Sequence, residues 1–277
     1  MFEKILLQTL EVVSLVFGMM VLVDLVNVWS HGKVKQFLHK GKRARQYFIA
    51  SIFGALPGCM GSFTNVSLYI HGLISFGALT GAMAAASGDE AFVMLALFPK
   101  TAILLIAILF ILGMVLGLVT DKLVIRLKIK TCVDCPSQQL HEHEHGFRHY
   151  LKEHVWKHIV KRHLWKTALW TFGALALIEL GMHYFDLKSI SSEHKLALIF
   201  LAALIGLIPE SGPHLIFVTM FANGLIPFSV LFTSAFVQDG HGMLPMLSYS
   251  VKDSLLIKGF NIIFGLSIGL LIMLTGH

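Results

Sequence analysis

The sequence predicts an all-α integral membrane protein with about ten transmembrane segments in two inverted repeats, several of them broken or re-entrant helices. Three observations predict it. The chain is 56% hydrophobic and 14% charged, with a mean hydropathy of +0.75, whereas a soluble domain is about 45–50% apolar and ~25% charged. One unit occurs twice, and the copies align without a gap. Lys and Arg are concentrated in two connecting segments, which fixes a sidedness.

The repeat is read first, because a fixed period decides the architecture. Residues 54–117 begin GALPGCMGSFTNVSLYIHG, and residues 206–269 begin GLIPESGPHLIFVTMFANG. At this offset Gly54 falls on Gly206, Pro57 on Pro209, Gly72 on Gly224 and Gly88 on Gly240. Lys100, Gly113 and Gly117 fall on Lys252, Gly265 and Gly269. The predicted organisation is a first membrane repeat over 1–120, a cytoplasmic Cys/His-rich linker over 121–164 and a second membrane repeat over 165–277.

The first helix is expected over about 5–29. Its apolar run ends in Asp24 and Trp29, with no small-residue cleavage site, so a cleavable signal peptide is not expected. The following 31–45 loop holds six Lys/Arg and no acid, and 121–166 holds ten Lys/Arg against five acids. Both are placed inside by the excess of positive charge, and the balanced 184–195 loop outside. The first helix then enters from outside, while its counterpart near 165–184 leaves from inside. An odd number of crossings per half makes the repeats inverted, as in many secondary carriers. Five per half gives ten, with both termini outside. The pieces 48–56, 61–71, 75–87 and 90–98 are too short to cross ~30 Å of hydrocarbon. They are expected to be half-helices or re-entrant hairpins, tolerated only where backbone is buried in protein or lines a wet cavity.

Chemistry is expected at the breaks. In the second copy Glu210 and His214 lie in the run Ile208-Pro209-Glu210-Ser211-Gly212-Pro213-His214, and Asp239 and His241 flank Gly240. In the first copy Asp89 and Glu90 follow Gly88. Ionisable residues at membrane depth are costly, and so are functional candidates; the alternative is solvated caps just outside the bilayer. Asp24 and Glu179, late in apolar helices, are further candidates, with interfacial capping or helix–helix hydrogen bonding as the other reading. His183 and Cys59 are weaker ones, and His71 reads as a loop-edge histidine. In the linker, Cys132 and Cys135 form a C-x-x-C beside His141, His143 and His145. Thiolate and imidazole at that spacing suit a metal, and a solvated basic loop is the plainer alternative. His141, Glu142 and His145 also fall at H-E-x-x-H spacing, but in a polar, loop-like stretch that does not read as a protease helix.

LPGCMGSFTNVSLYIHGLISFGALTGAMAAASGDEAFVM, IPESGPHLIFVTMFANGLIPFSVL and VQDGHGMLP resemble the family of manganese transporters also described as ten-helix heavy-metal exporters. The opening VVSLVFGMMVLVDLVNVWSHG is similar to that family's first helix. The likeness spans most of the chain and is thinnest over the linker. It implies a membrane metal transporter, with Asp89, Glu90, Glu210, His214, Asp239 and His241 at the motif positions.

The expected function is therefore a secondary carrier, not an enzyme, in the cytoplasmic (inner) membrane of a prokaryote. It would export a divalent transition metal as substrate, with Mn first and Zn or Fe next, since mixed O/N ligands suit these ions. H⁺ is the expected counter-ion, because metal ligands must be deprotonated. The expected partners are the lipid bilayer and the ion, with a homo-oligomer left open and no nucleic acid, because the +6 net charge sits in the two inside segments. No nucleotide-binding motif is present. The alternatives are a permease for an oxyanion or organo-metalloid, or a membrane-embedded enzyme.

Overall fold

The computed structural model describes residues 43–88, 90–131, 195–210 and 212–275, with scattered positions between 3 and 21 and between 156 and 176. The described residues contain helices and turns and no strand.

In the first repeat the elements are α1 (Ala44–Ala55), α2 (Met60–Ile70), α3 (Phe76–Ala84), α4 (Glu90–Leu97) and α5 (Pro99–Arg126). In the second they are α6 (Lys195–Ile205), α7 (His214–Ala222), α8 (Phe228–Val237), a 3-10 turn (Gly240–Gly242) with α9 (Met243–Tyr249), and α10 (Val251–Leu274). Each element has its counterpart at the offset read from the sequence.

The punctuation repeats as well. α1 stops at Leu56, which is extended (φ −65°, ψ 130°), as a residue before proline prefers. α2 ends in a Schellman cap. Gly72 takes φ +65°, and the Gly72 and Leu73 amides donate to the Tyr69 and Leu68 carbonyls. α7 ends the same way: Gly224 takes φ +69°, and the Gly224 and Leu225 amides donate to the Phe221 and Met220 carbonyls. This left-handed position is open to glycine without steric cost. Gly88 and Gly240, after α3 and α8, both take φ +55°.

The short pieces expected from the sequence are short helices here. α2, α3, α4, α7 and α8 have 11, 9, 8, 9 and 10 residues. Among the described residues two helices are long and apolar enough to cross a membrane, α5 with 28 residues and α10 with 24. At 1.5 Å per residue they reach about 42 and 36 Å, beyond the ~30 Å of a hydrocarbon core.

These long helices are inside-out by the standard of a soluble protein. α10 turns Ser254, Lys258, Asn261, Gly265 and Gly269 inward and leaves Leu255, Ile263 and Leu271 more than 60% exposed. α5 likewise exposes Leu104, Ile111, Val115 and Ile125. A continuous apolar exterior over a polar, small-residue interior suits lipid as the solvent.

Small residues let the backbones approach. Gly77 and Gly81 of α3 lie against Gly117 and Gly113 of α5; a Cβ on Gly81 would run into the Gly113 carbonyl. In the second repeat a Cβ on Gly269 would run into the Thr233 hydroxyl, so Thr233 of α8 and Gly269 of α10 make the corresponding crossing.

The repeats also interlock. α2 packs on the 3-10 turn and α9 of the other repeat, and α7 packs on α4. Each repeat's second helix thus meets the element after the other repeat's Gly break. One core cluster joins Phe63, Leu79 and Met83 to Met243, Leu244 and Ile257, and another joins Met94 and Leu105 to Phe232 and Phe236.

Candidate functional site

The breaks of both repeats converge beside the middle of the long helices. In the first repeat, the Gly58 amide donates to the Gly88 carbonyl at 2.9 Å, and the Ser87 amide to the Gly54 carbonyl at 3.3 Å. The break before α2 therefore lies on the break before α4. Its level is set by Gly113, halfway along α5, whose added Cβ would meet Ala85 Cβ at 2.8 Å. In the second repeat, Asp239 bonds to Lys258 and Asn261, near the midpoint of α10.

The two repeats' breaks touch. Gln238 Nε2 donates to Glu90 Oε2 at 2.9 Å, linking the turn after α8 to the start of α4. A Cβ on Gly242 would meet Ser62 Cβ at 2.6 Å. Glu90 and Gln238 are each 1% exposed.

Asp239 is fully buried. Its Oδ1 accepts from Asn261 Nδ2 at 2.6 Å, and its Oδ2 lies 2.6 Å from Lys258 Nζ. Lys258 Nζ also donates to the Gly206 carbonyl at 2.7 Å, beyond the end of α6, where helix carbonyls lack partners and attract a cation. A buried carboxylate thus has its charge balanced by one ammonium and its second oxygen satisfied by one amide, as burial requires.

Glu210 and His241 form a more open pair. His241 Nε2 lies 3.7 Å from Glu210 Oε1, with side chains 14% and 17% exposed. Glu210 Oε1 also accepts from the Gly212 amide at 3.3 Å. The carboxylate comes from the break before α7 and the imidazole from the break after α8, so two interruptions of one repeat share one opening. His214 begins α7 behind Pro213 and is 2% exposed. Its Nδ1 lies 3.0 Å from Ser234 Oγ of α8.

Of the residues picked out in the sequence, the structure brings Glu210 to His241 and sets His214 nearby; Glu90 is bound to Gln238, and Asp239 to Lys258 and Asn261. Among the described residues no three His, Cys, Asp or Glu side chains converge as a metal-binding group. Asp24, Asp89, Glu179, His183, Cys132, Cys135, His141, His143 and His145 lie outside the described residues. Cys59 is partly buried in the first break. His71, expected at a loop edge, is 3% exposed, and its Nδ1 lies 2.7 Å from the Ser67 carbonyl.

Sequence reasoning missed Gln238, Lys258 and Asn261. A lysine and an asparagine three apart inside the apolar stretch of α10 were the signal, since that spacing puts both on one helix face. Asp121 was also missed. It accepts from Tyr47 Oη at 2.8 Å, Ser75 Oγ at 2.6 Å and the Gly77 amide at 2.7 Å, with Arg43 at 3.9 Å. It ties α1, α3 and α5 together.

Comparison with known proteins fits this architecture. Residues 9–178 and 150–274 match the family model described as "Putative, 10TM heavy-metal exporter". No curated protein and no solved structure matches the chain. The two matched stretches overlap over residues 150–178 and between them hold every broken helix described above, so the chain belongs to this family of ten-helix, multi-pass membrane proteins.

Proposed function

We propose that the chain is a secondary carrier that exports a divalent transition metal across the cytoplasmic membrane by alternating access around the converged breaks, with its two repeats inverted relative to each other. One observation carries the reading. A carboxylate and an imidazole from two separate helix breaks, Glu210 and His241, stand 3.7 Å apart and partly open, and the buried Asp239 lies in the same break as His241. Broken helices that bring polar groups to the middle of long apolar helices are how carriers hold an ion.

Glu210 and His241 are the first ligands offered to an incoming ion, with His214 behind them. Water and backbone carbonyls would fill the remaining positions. Such O/N ligands suit Mn²⁺, Fe²⁺ or Zn²⁺ over softer ions, and Mn²⁺ is the ion we propose first. Ligand groups that must be deprotonated to bind make H⁺ the natural counter-ion. The Cys132/Cys135 and His141/His143/His145 tract would collect metal on the cytosolic side, which favours export. The ion is the substrate and nothing in it is chemically converted, so no enzymatic step is needed.

The test is flux in sealed vesicles. Proteoliposomes are loaded with Mn²⁺, Fe²⁺ or Zn²⁺, with and without a pH gradient. Wild type should move at least one ion, faster with the gradient. Glu210→Gln and His241→Ala should each slow it at least about tenfold, the loss of one ligand contact worth ~1.4 kcal/mol. Wild-type vesicles as tight to all three ions as empty ones would overturn the proposal.

A further inference from the structure

We propose that Lys258 is a tethered cation that occupies Asp239 while substrate is absent, and that an arriving metal ion competes with it for that carboxylate. The inference rests on the carrier reading and deepens it, by naming what holds the buried carboxylate closed.

Stability does not explain the pair. Replacing a buried ion pair by apolar side chains is often neutral or favourable, and charges at this depth are costly. The first repeat fills the position equivalent to Asp239 without charge. Ser87 stands where Asp239 does, with its hydroxyl donating to the Ala55 carbonyl at 3.1 Å. Ile106 and Leu109 stand where Lys258 and Asn261 do. The fold therefore fills this position, just before a Gly break and beside a long helix, with a neutral side chain in one repeat, and among the described residues the ionic version stands beside the open Glu210–His241 pair.

The geometry suits exchange. Lys258 Nζ holds the Gly206 carbonyl at 2.7 Å as well as Asp239 Oδ2 at 2.6 Å. On leaving the carboxylate it keeps one partner at the end of α6. Asn261 still donates to Oδ1, so Asp239 stays aimed when the ammonium moves. The step is an exchange of one cation for another at one carboxylate. It weakens metal binding, which suits a carrier, because an ion must leave as readily as it enters.

The experiment uses the full-length protein in detergent, titrated with Mn²⁺, Zn²⁺ or Fe²⁺ alone by calorimetry. Lys258→Gln should bind metal about 5–150-fold more tightly than wild type, the usual range of coupling between competing sites. Asp239→Asn/Lys258→Gln should lose that gain. Equal affinity of wild type and Lys258→Gln would overturn the inference and leave the carrier reading standing. No binding of any of the three ions by wild type or either variant would remove both. A second readout needs no variant: acetylation of Lys258 in wild type, followed by mass spectrometry, should rise when metal is added, and an unchanged rate would equally overturn it.

Discussion

The Asp239–Lys258 pair makes a prediction whose sign comes from burial. Asp239 is 0% exposed and Lys258 7%. At their 2.6 Å separation, two unit charges attract by about 6 kcal/mol at an effective dielectric of ~20. Desolvation of both groups consumes most of this, so the intact pair contributes little net stability. Breaking it is different, because the surviving charge is left buried, at a cost of about 3–5 kcal/mol. Asp239→Asn and Lys258→Met should therefore each lose about that much, and the double variant less than about 2 kcal/mol. Neighbouring groups of this kind are strongly non-additive. The assay is unfolding in mixed micelles, followed by circular dichroism as denaturing detergent is added. Single-variant losses that simply sum in the double, or a single variant losing under about 1 kcal/mol, would refute the buried pair. Added metal should restore part of the lost stability in Lys258→Met, since ligand binding stabilises the folded state.

Three further outcomes follow from the packing. Gly113→Leu should lower the thermal midpoint sharply, by more than the ~1–3 kcal/mol of ordinary overpacking, because its side chain meets the Gly81 backbone and Ala85; Gly259→Leu, with nothing within 4 Å of its Cβ, should stay near wild type in the same melt. Asp121→Ala should cost about 3 kcal/mol or more in unfolding titrations, since it strands three donors of a charge-assisted network, while flux per folded molecule is kept. Cys132→Ser/Cys135→Ser should raise the metal concentration for half-maximal flux in vesicles and leave the maximal rate in place.

Much of the fold was legible because it is written in punctuation. Gly72/Gly224 and Gly88/Gly240 mark left-handed turns that a sequence shows as glycine, and both pairs fall there. Leu56 before Pro57 ends α1 as the dipeptide dictates. The half-helix lengths followed from the spacing of these breaks. The site was less legible, because its partners come from distant elements. Glu90 meets Gln238 across 148 residues, a contact no local spacing carries. Asp239 looked like a free ligand because Lys258 and Asn261 lie on another helix. Asp121 read as the end of a basic segment, when it is the acceptor that joins three helices. His71 read as a loop-edge histidine because it precedes glycine, yet it is buried, with its Nδ1 against the Ser67 carbonyl of its own helix.

The most direct test of the account is a map of the protein in lipid nanodiscs in which the bilayer boundaries are visible. The account predicts Gly88 and Gly240 near the bilayer midplane, Glu90 in contact with Gln238, and the two repeats running in opposite senses across the membrane. Those glycine breaks lying at the headgroup level, or repeats running in the same sense, would contradict it.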